Sequence, residues 1–148
     1  MMINKVNSTN FKAKLVRTPI FNEAVASAKN TNNNTKYAFY NAINVIHEDF
    51  GFKKFQIDKV ESAKQQLRPL FRLTAEENNG DSFKYVTLLK DSENEGQSAV
   101  GAIIDFISKC YGNRTAQYIK LSRKCAPDEL NERIDGVLYR NQNRYGSN

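Results

Sequence analysis

Hydrophobic and polar positions along this chain repeat with two periods, and the period switches three times. Phe11-Lys12-Ala13-Lys14-Leu15-Val16-Arg17 alternates apolar with basic residues, which predicts a half-buried strand with Lys12 and Lys14 on the face away from Phe11, Ala13 and Leu15. Thr18-Pro19 then reads as an N-cap followed by proline in the first helical position, and predicts a helix to about Lys29. The run Asn30-Thr31-Asn32-Asn33-Asn34-Thr35 reads as a loop, because short amides compete with regular backbone hydrogen bonds. A second helix is predicted from about Lys36 to Phe50. Phe39, Ile43, Ile46 and Phe50 fall on one stripe of it, and Gly51 supplies the stop.

The period then returns to two. Strands are predicted at Phe52 to Val60, Gln66 to Leu73 and Ser82 to Lys90, with Pro69 pushing the second towards a sheet edge. Glu76-Glu77-Asn78-Asn79-Gly80-Asp81 reads as the turn between the last two. Ser98 to Tyr111 predicts a third helix with a broad apolar surface made by Ala99, Val100, Ile103, Phe106, Ile107 and Cys110. Thr115 to Cys125 reads as a further helix, with a strand through Tyr118-Ile119 as the alternative. Ala126-Pro127-Asp128-Glu129 restarts a helix with the stripe Leu130, Ile134, Val137 and Leu138. Residues 1–10 and 141–148 are polar and are expected to fray. The expectation is therefore one α+β domain spanning 1–148, in which a small antiparallel sheet of three or four strands packs against four or five helices.

Composition narrows the chemistry. Forty per cent of the 148 residues are hydrophobic and 26% charged, ordinary values for a globular chain. No apolar run approaches the roughly 18 residues of a membrane span. The first thirty residues carry no apolar secretory core, so the expected compartment is the cytoplasm, with no membrane partner. Asparagine and lysine are abundant and both have A-rich codons, which suggests an AT-rich bacterial or phage genome. Cys110 and Cys125 form no CxxC pair and are expected to be buried apolar thiols. The net charge is +6, distributed as +7 over residues 1–75, −5 over 76–108 and +4 over 109–148. Part of the basic character can thus be neutralised within the chain.

Three motifs start and stop short. Asp91-Ser92-Glu93-Asn94-Glu95-Gly96 opens like a calcium loop, but position 12, where a bidentate glutamate should close the shell, is Ala102. Gly96 and Gly101 have the spacing of a phosphate-binding loop, yet Ala102-Ile103 stand where lysine and a hydroxyl are required. His47, the one histidine, lies beside the apolar stripe of its helix, with no orienting carboxylate on that flank, and reads as a packed side chain. Glu76, Glu77 and Asp81 read as a solvated turn rather than an acid–base pair. No catalytic residue, metal or cofactor is expected.

The basic and aromatic residues are what remain. Arg123, Lys124, Arg133, Tyr139, Arg140, Arg144 and Tyr145 set guanidinium groups beside rings, an arrangement suited to phosphates and stacked bases. Glu129 four residues before Arg133 offers a plain surface ion pair instead. A second set, Lys12, Lys14, Lys53, Lys54, Arg68 and Arg72, lines one sheet face if their strands are neighbours. The leading functional expectation is a non-catalytic module that binds another protein or a second copy of itself. Nucleic-acid binding through the Arg/Tyr segment is the alternative, and an enzyme of unrecognised kind the third.

Overall fold

Thr18 begins the first helix by accepting a hydrogen bond from the Phe21 N–H at its side-chain oxygen, and the same hydroxyl donates to the Ile57 carbonyl on a neighbouring strand. One residue therefore caps a helix and ties it to the sheet. The computed structural model describes residues 13–48, 52–60, 70–77, 82–88, 94–111 and 126–145. In chain order these form β1 (Lys14–Leu15), α1 (Pro19–Lys29), α2 (Asn33–Glu48), β2 (Phe52–Val60), β3 (Leu70–Glu77), β4 (Ser82–Leu88), α3 (Glu95–Tyr111), a 3-10 turn (Pro127–Glu129) and α4 (Leu130–Tyr145).

The sheet order is β1-β2-β3-β4. Strands β2, β3 and β4 form an antiparallel meander, whereas β1 runs parallel to β2, with Lys14 opposite Lys54 and Leu15 opposite Phe55. The sheet is thus mixed, a correction to the all-antiparallel expectation. Two whole helices separate β1 from β2 in sequence, and a crossover of that length is what allows neighbouring strands to run the same way. Of the described residues 13–17 of the expected first strand, only Lys14 and Leu15 are paired. Four α-helices are present among the described residues, and the helix expected at 115–125 lies outside them.

Other boundaries shift for local reasons. Helix α2 starts at Asn33 rather than Lys36, because the Asn32 side chain accepts from the Thr35 N–H at 2.8 Å and caps it within the asparagine run. Helix α3 starts at Glu95, capped in the same way by Asn94 on the Gln97 N–H at 2.7 Å. Strand β3 extends to Glu77, through the start of the expected turn. At the C-terminal end α4 continues to Tyr145, past Asn141, where its polar composition predicts fraying. The reason is tertiary: Asn141 is only 2% exposed and bonded to β1.

All four helices contribute to one apolar core against one face of the sheet. Phe55 and Ile57 of β2 and Phe71, Leu73 and Ala75 of β3 point into it. The ring of Phe55 meets Phe106 of α3 at 5.8 Å and Phe21 of α1 at 6.5 Å. Helix α2 is buried nearly all round from Phe39 to His47, and α1, α3, α4 and β1 pack around it. Cys110 is half-buried against this core. Gly96 explains the close pairing of α1 with α3: a Cβ there would lie 2.0 Å from the Ser27 hydroxyl and 3.0 Å from the Glu23 carbonyl. Its glycine therefore serves helix packing. Gly101, by contrast, has open space around its Cβ position.

Candidate functional site

Because all four described helices lie on one side, no described helix covers the opposite face of the sheet. The strand alternation places Lys14 on it from β1, Lys54, Gln56 and Asp58 from β2, and Arg72, Thr74 and Glu76 from β3. Lys84 and Val86 come from β4, opposite Thr74 and Arg72, and both are exposed. Val86, at 56% exposure, is one of two exposed large hydrophobic residues among those described; the other, Tyr139 at 67%, lies on α4. The basic set read from the sequence is partly assembled here, through Lys14, Lys54 and Arg72. Lys12 and Arg68 lie outside the described residues.

The charge on this face is mixed. A bulge between Phe52 and Lys54 makes Lys53 the extra residue of β2, and with it both Lys53, at 3.0 Å, and Lys54, at 3.9 Å, reach the Glu76 carboxylate. The Lys53 hydrogen bond, with the charges of both lysines, holds the Glu76 carboxyl below its usual range against a smaller opposing effect of burial. Glu76 is therefore ionised at neutral pH, the wrong state for a general acid. Gln56 donates to the Asp58 carboxylate at 2.9 Å. Among the described side chains of β2 and β3 no aromatic faces outward, and Phe83 and Tyr85 of β4 occupy register positions opposite the buried Ala75 and Leu73. The face offers hydrogen bonds and charge of both signs rather than rings for bases to stack on.

The Arg/Tyr segment is dispersed by the helix that carries it. Arg144, an exposed residue, reaches back to His47, its guanidinium donating to the His47 carbonyl at 2.9 Å and sitting 3.0 Å from His47 Nε2. Tyr145 lines a small recess with Lys14, Arg17 and Asn141. Burial raises its phenol above the ordinary range, opposed by the Arg144 guanidinium. Arg133 and Arg140 lie on the flank of α4 that faces α2, along an open groove of about 400 Å³ shared with Tyr40, Glu129, Glu132 and Gly136. Arg133 makes the i,i+4 contact with Glu129 at 3.9 Å, so two carboxylates offset the two guanidinium groups. Tyr139 is exposed away from that groove. Arg123 and Lys124 lie outside the described residues.

His47 is 1% exposed, and its two ring nitrogens face Asn141 Nδ2 at 2.9 Å and Arg144 at 3.0 Å. Asn141 cannot turn its amide over: its Oδ1 accepts the Leu15 N–H at 2.9 Å while Nδ2 donates to the Ala13 carbonyl at 2.9 Å. Both imidazole nitrogens are thus presented to donors, inside the protein and away from any groove. His47 holds α2, α4 and β1 together and is not placed to meet a substrate. Residues 91–93 of the incomplete calcium loop lie outside the described residues, while Glu95 pairs with Lys59. No three His, Cys, Asp or Glu side chains converge on a metal-sized site among the described residues.

The sequence reading missed Gln56, Thr74, Lys84 and Val86 as members of one surface. Alternation in 52–60 and in the expected 66–73, which overlaps β3 only over 70–73, carried the signal for β2 and β3, but the partner of β4 and the uncovered side of the sheet depend on topology. Comparison with known proteins adds no identification: no family model matches the chain, and neither does any curated protein or solved structure.

Proposed function

We propose that this chain is a non-catalytic binding module that contacts another protein through the bare side of its sheet. One observation carries the reading: among the described residues all four helices pack on a single face, and the other face presents Lys54, Gln56, Asp58, Arg72, Thr74 and Lys84 around the exposed apolar Val86. Apolar surface rimmed by polar groups of both signs suits a protein surface better than a polyanion, which favours one sign. The dispersal of the Arg/Tyr segment supports the same choice, since Arg144 is spent on His47. No helix among the described residues is long and apolar enough to cross a membrane. We take the module to act in the cytoplasm, in keeping with a half-buried Cys110 thiol.

The nucleic-acid alternative retains Arg133, Tyr139 and Arg140. It is tested by titrating the protein, purified free of nucleic acid, with random single-stranded RNA and duplex DNA at low and physiological salt. A protein-binding module gives weak association that vanishes with salt, because the few counterions released are all that drives it. Binding that persists at physiological salt, and is lost when Arg133 and Arg140 are both changed to alanine, would replace this reading with the alternative.

A further inference from the structure

The groove between α4 and α2 has a missing side chain for its floor. Gly136 lies one turn after Glu132 and one turn before Arg140, so the three share a helix face. Long side chains on a helix lean over the preceding turn, and Arg140 does so here: a Cβ on Gly136 would lie 3.2 Å from its Nη1. The glycine thus lets the guanidinium settle into the middle of the groove. Tyr40 of α2, only 8% exposed, forms part of the wall. Its hydroxyl makes no hydrogen bond among the described residues and is not sealed from solvent, so it opens into the groove. Arg140 and Glu132 have no ion-pair partner among the described residues, whereas Arg133 and Glu129 contact each other at 3.9 Å.

We propose that this groove binds a free α-amino acid, with its carboxylate on the Arg140 guanidinium and the Tyr40 hydroxyl and its ammonium on Glu132. The guanidinium fork matches a carboxylate, and the phenol adds a third donor on the opposite wall. Glu129 and Glu132 repel a multiply charged oxyanion such as phosphate, while Glu132 supplies acceptors for an ammonium group. Spacing narrows the class further. One turn, about 6 Å of helix axis, separates Gly136, beneath the guanidinium, from Glu132. An α-amino acid carries both charges on one carbon and bridges such a gap, whereas the termini of a peptide stand further apart. The volume of about 400 Å³ falls within the range of small-molecule sites. This site lies on the helical side of the molecule and is independent of what the sheet side contacts.

The test is a thermal-shift screen of the dialysed full chain against each common L-amino acid at about 5 mM, followed by calorimetric titration. A ligand with a Kd of about 1 mM raises Tm by about 2–4 °C at that concentration. At least one amino acid does so, while its N-acetyl and amide derivatives, each lacking one charge, do not. Tyr40→Phe weakens binding about three- to tenfold, and Arg140→Gln and Glu132→Gln each weaken it more than about tenfold. Gly136→Ala separates binding from folding: its methyl displaces the guanidinium and weakens binding, yet raises the Tm of the unliganded chain because alanine is the better helix former. No shift with any amino acid, an equal shift with the derivatives, or binding that survives Arg140→Gln overturns the proposal. Inorganic phosphate binding through Arg140, with no amino acid doing so, overturns it as well.

Discussion

The Asn141 side chain pairs with Leu15 as a neighbouring strand would, accepting its N–H at 2.9 Å while the same amide donates to the carbonyl two residues earlier, at Ala13. A single side chain near the end of the last helix thus completes the hydrogen bonding of the first strand. The third contact of that amide, to His47, joins α2 to the same point. This knot is where the strongest effects on stability are expected.

Asn141→Leu keeps the volume and removes the amide, leaving the Leu15 N–H and Ala13 C=O without partners in a buried setting. At about 1–3 kcal/mol for each orphaned group, the loss should total about 2–6 kcal/mol. Urea unfolding at neutral pH measures it. A loss below about 1 kcal/mol would mean that water reaches the β1 edge and that Asn141 does not close it.

Gly96→Ala should destabilise despite alanine's better helix propensity. The added methyl would meet the Ser27 hydroxyl at 2.0 Å and the Glu23 carbonyl at 3.0 Å, so α1 and α3 must separate, at a cost of about 1–3 kcal/mol. Adding Ser27→Ala removes the closest atom and should recover part of the loss, a non-additivity that a double-mutant cycle resolves. Gly101→Ala, with open space at its Cβ, should be neutral or stabilising.

Much of this architecture is legible in the sequence because burial imposes a period. The stripe Phe39, Ile43, Ile46, the cap at Thr18 and the alternation in 52–60 each mark an element whose apolar side must face a core. What stays illegible depends on pairs distant in sequence. Nothing local to Asn141 or His47 shows that they meet across 94 positions, and a polar helix end reads as frayed until its partners are known. The parallel direction of β1 likewise follows from the α1–α2 crossover and not from its own seven-residue pattern. The candidate surface suffers most, since a bare sheet face is defined by where the helices go. The Arg/Tyr segment was conspicuous as composition, but the same helix periodicity that buries Leu130, Ile134, Val137 and Leu138 turns Arg144 towards His47 and leaves Tyr139 outside.

The central claim is that this molecule meets a protein on its sheet side. A photoreactive amino acid placed at Val86, and separately at Tyr139, in cells expressing the chain compares the two exposed apolar positions directly. Covalent adducts to protein from position 86, with little from position 139, are the predicted result. Adducts to nucleic acid from position 139, with none to protein from position 86, would contradict it and return the function to the Arg/Tyr face of α4.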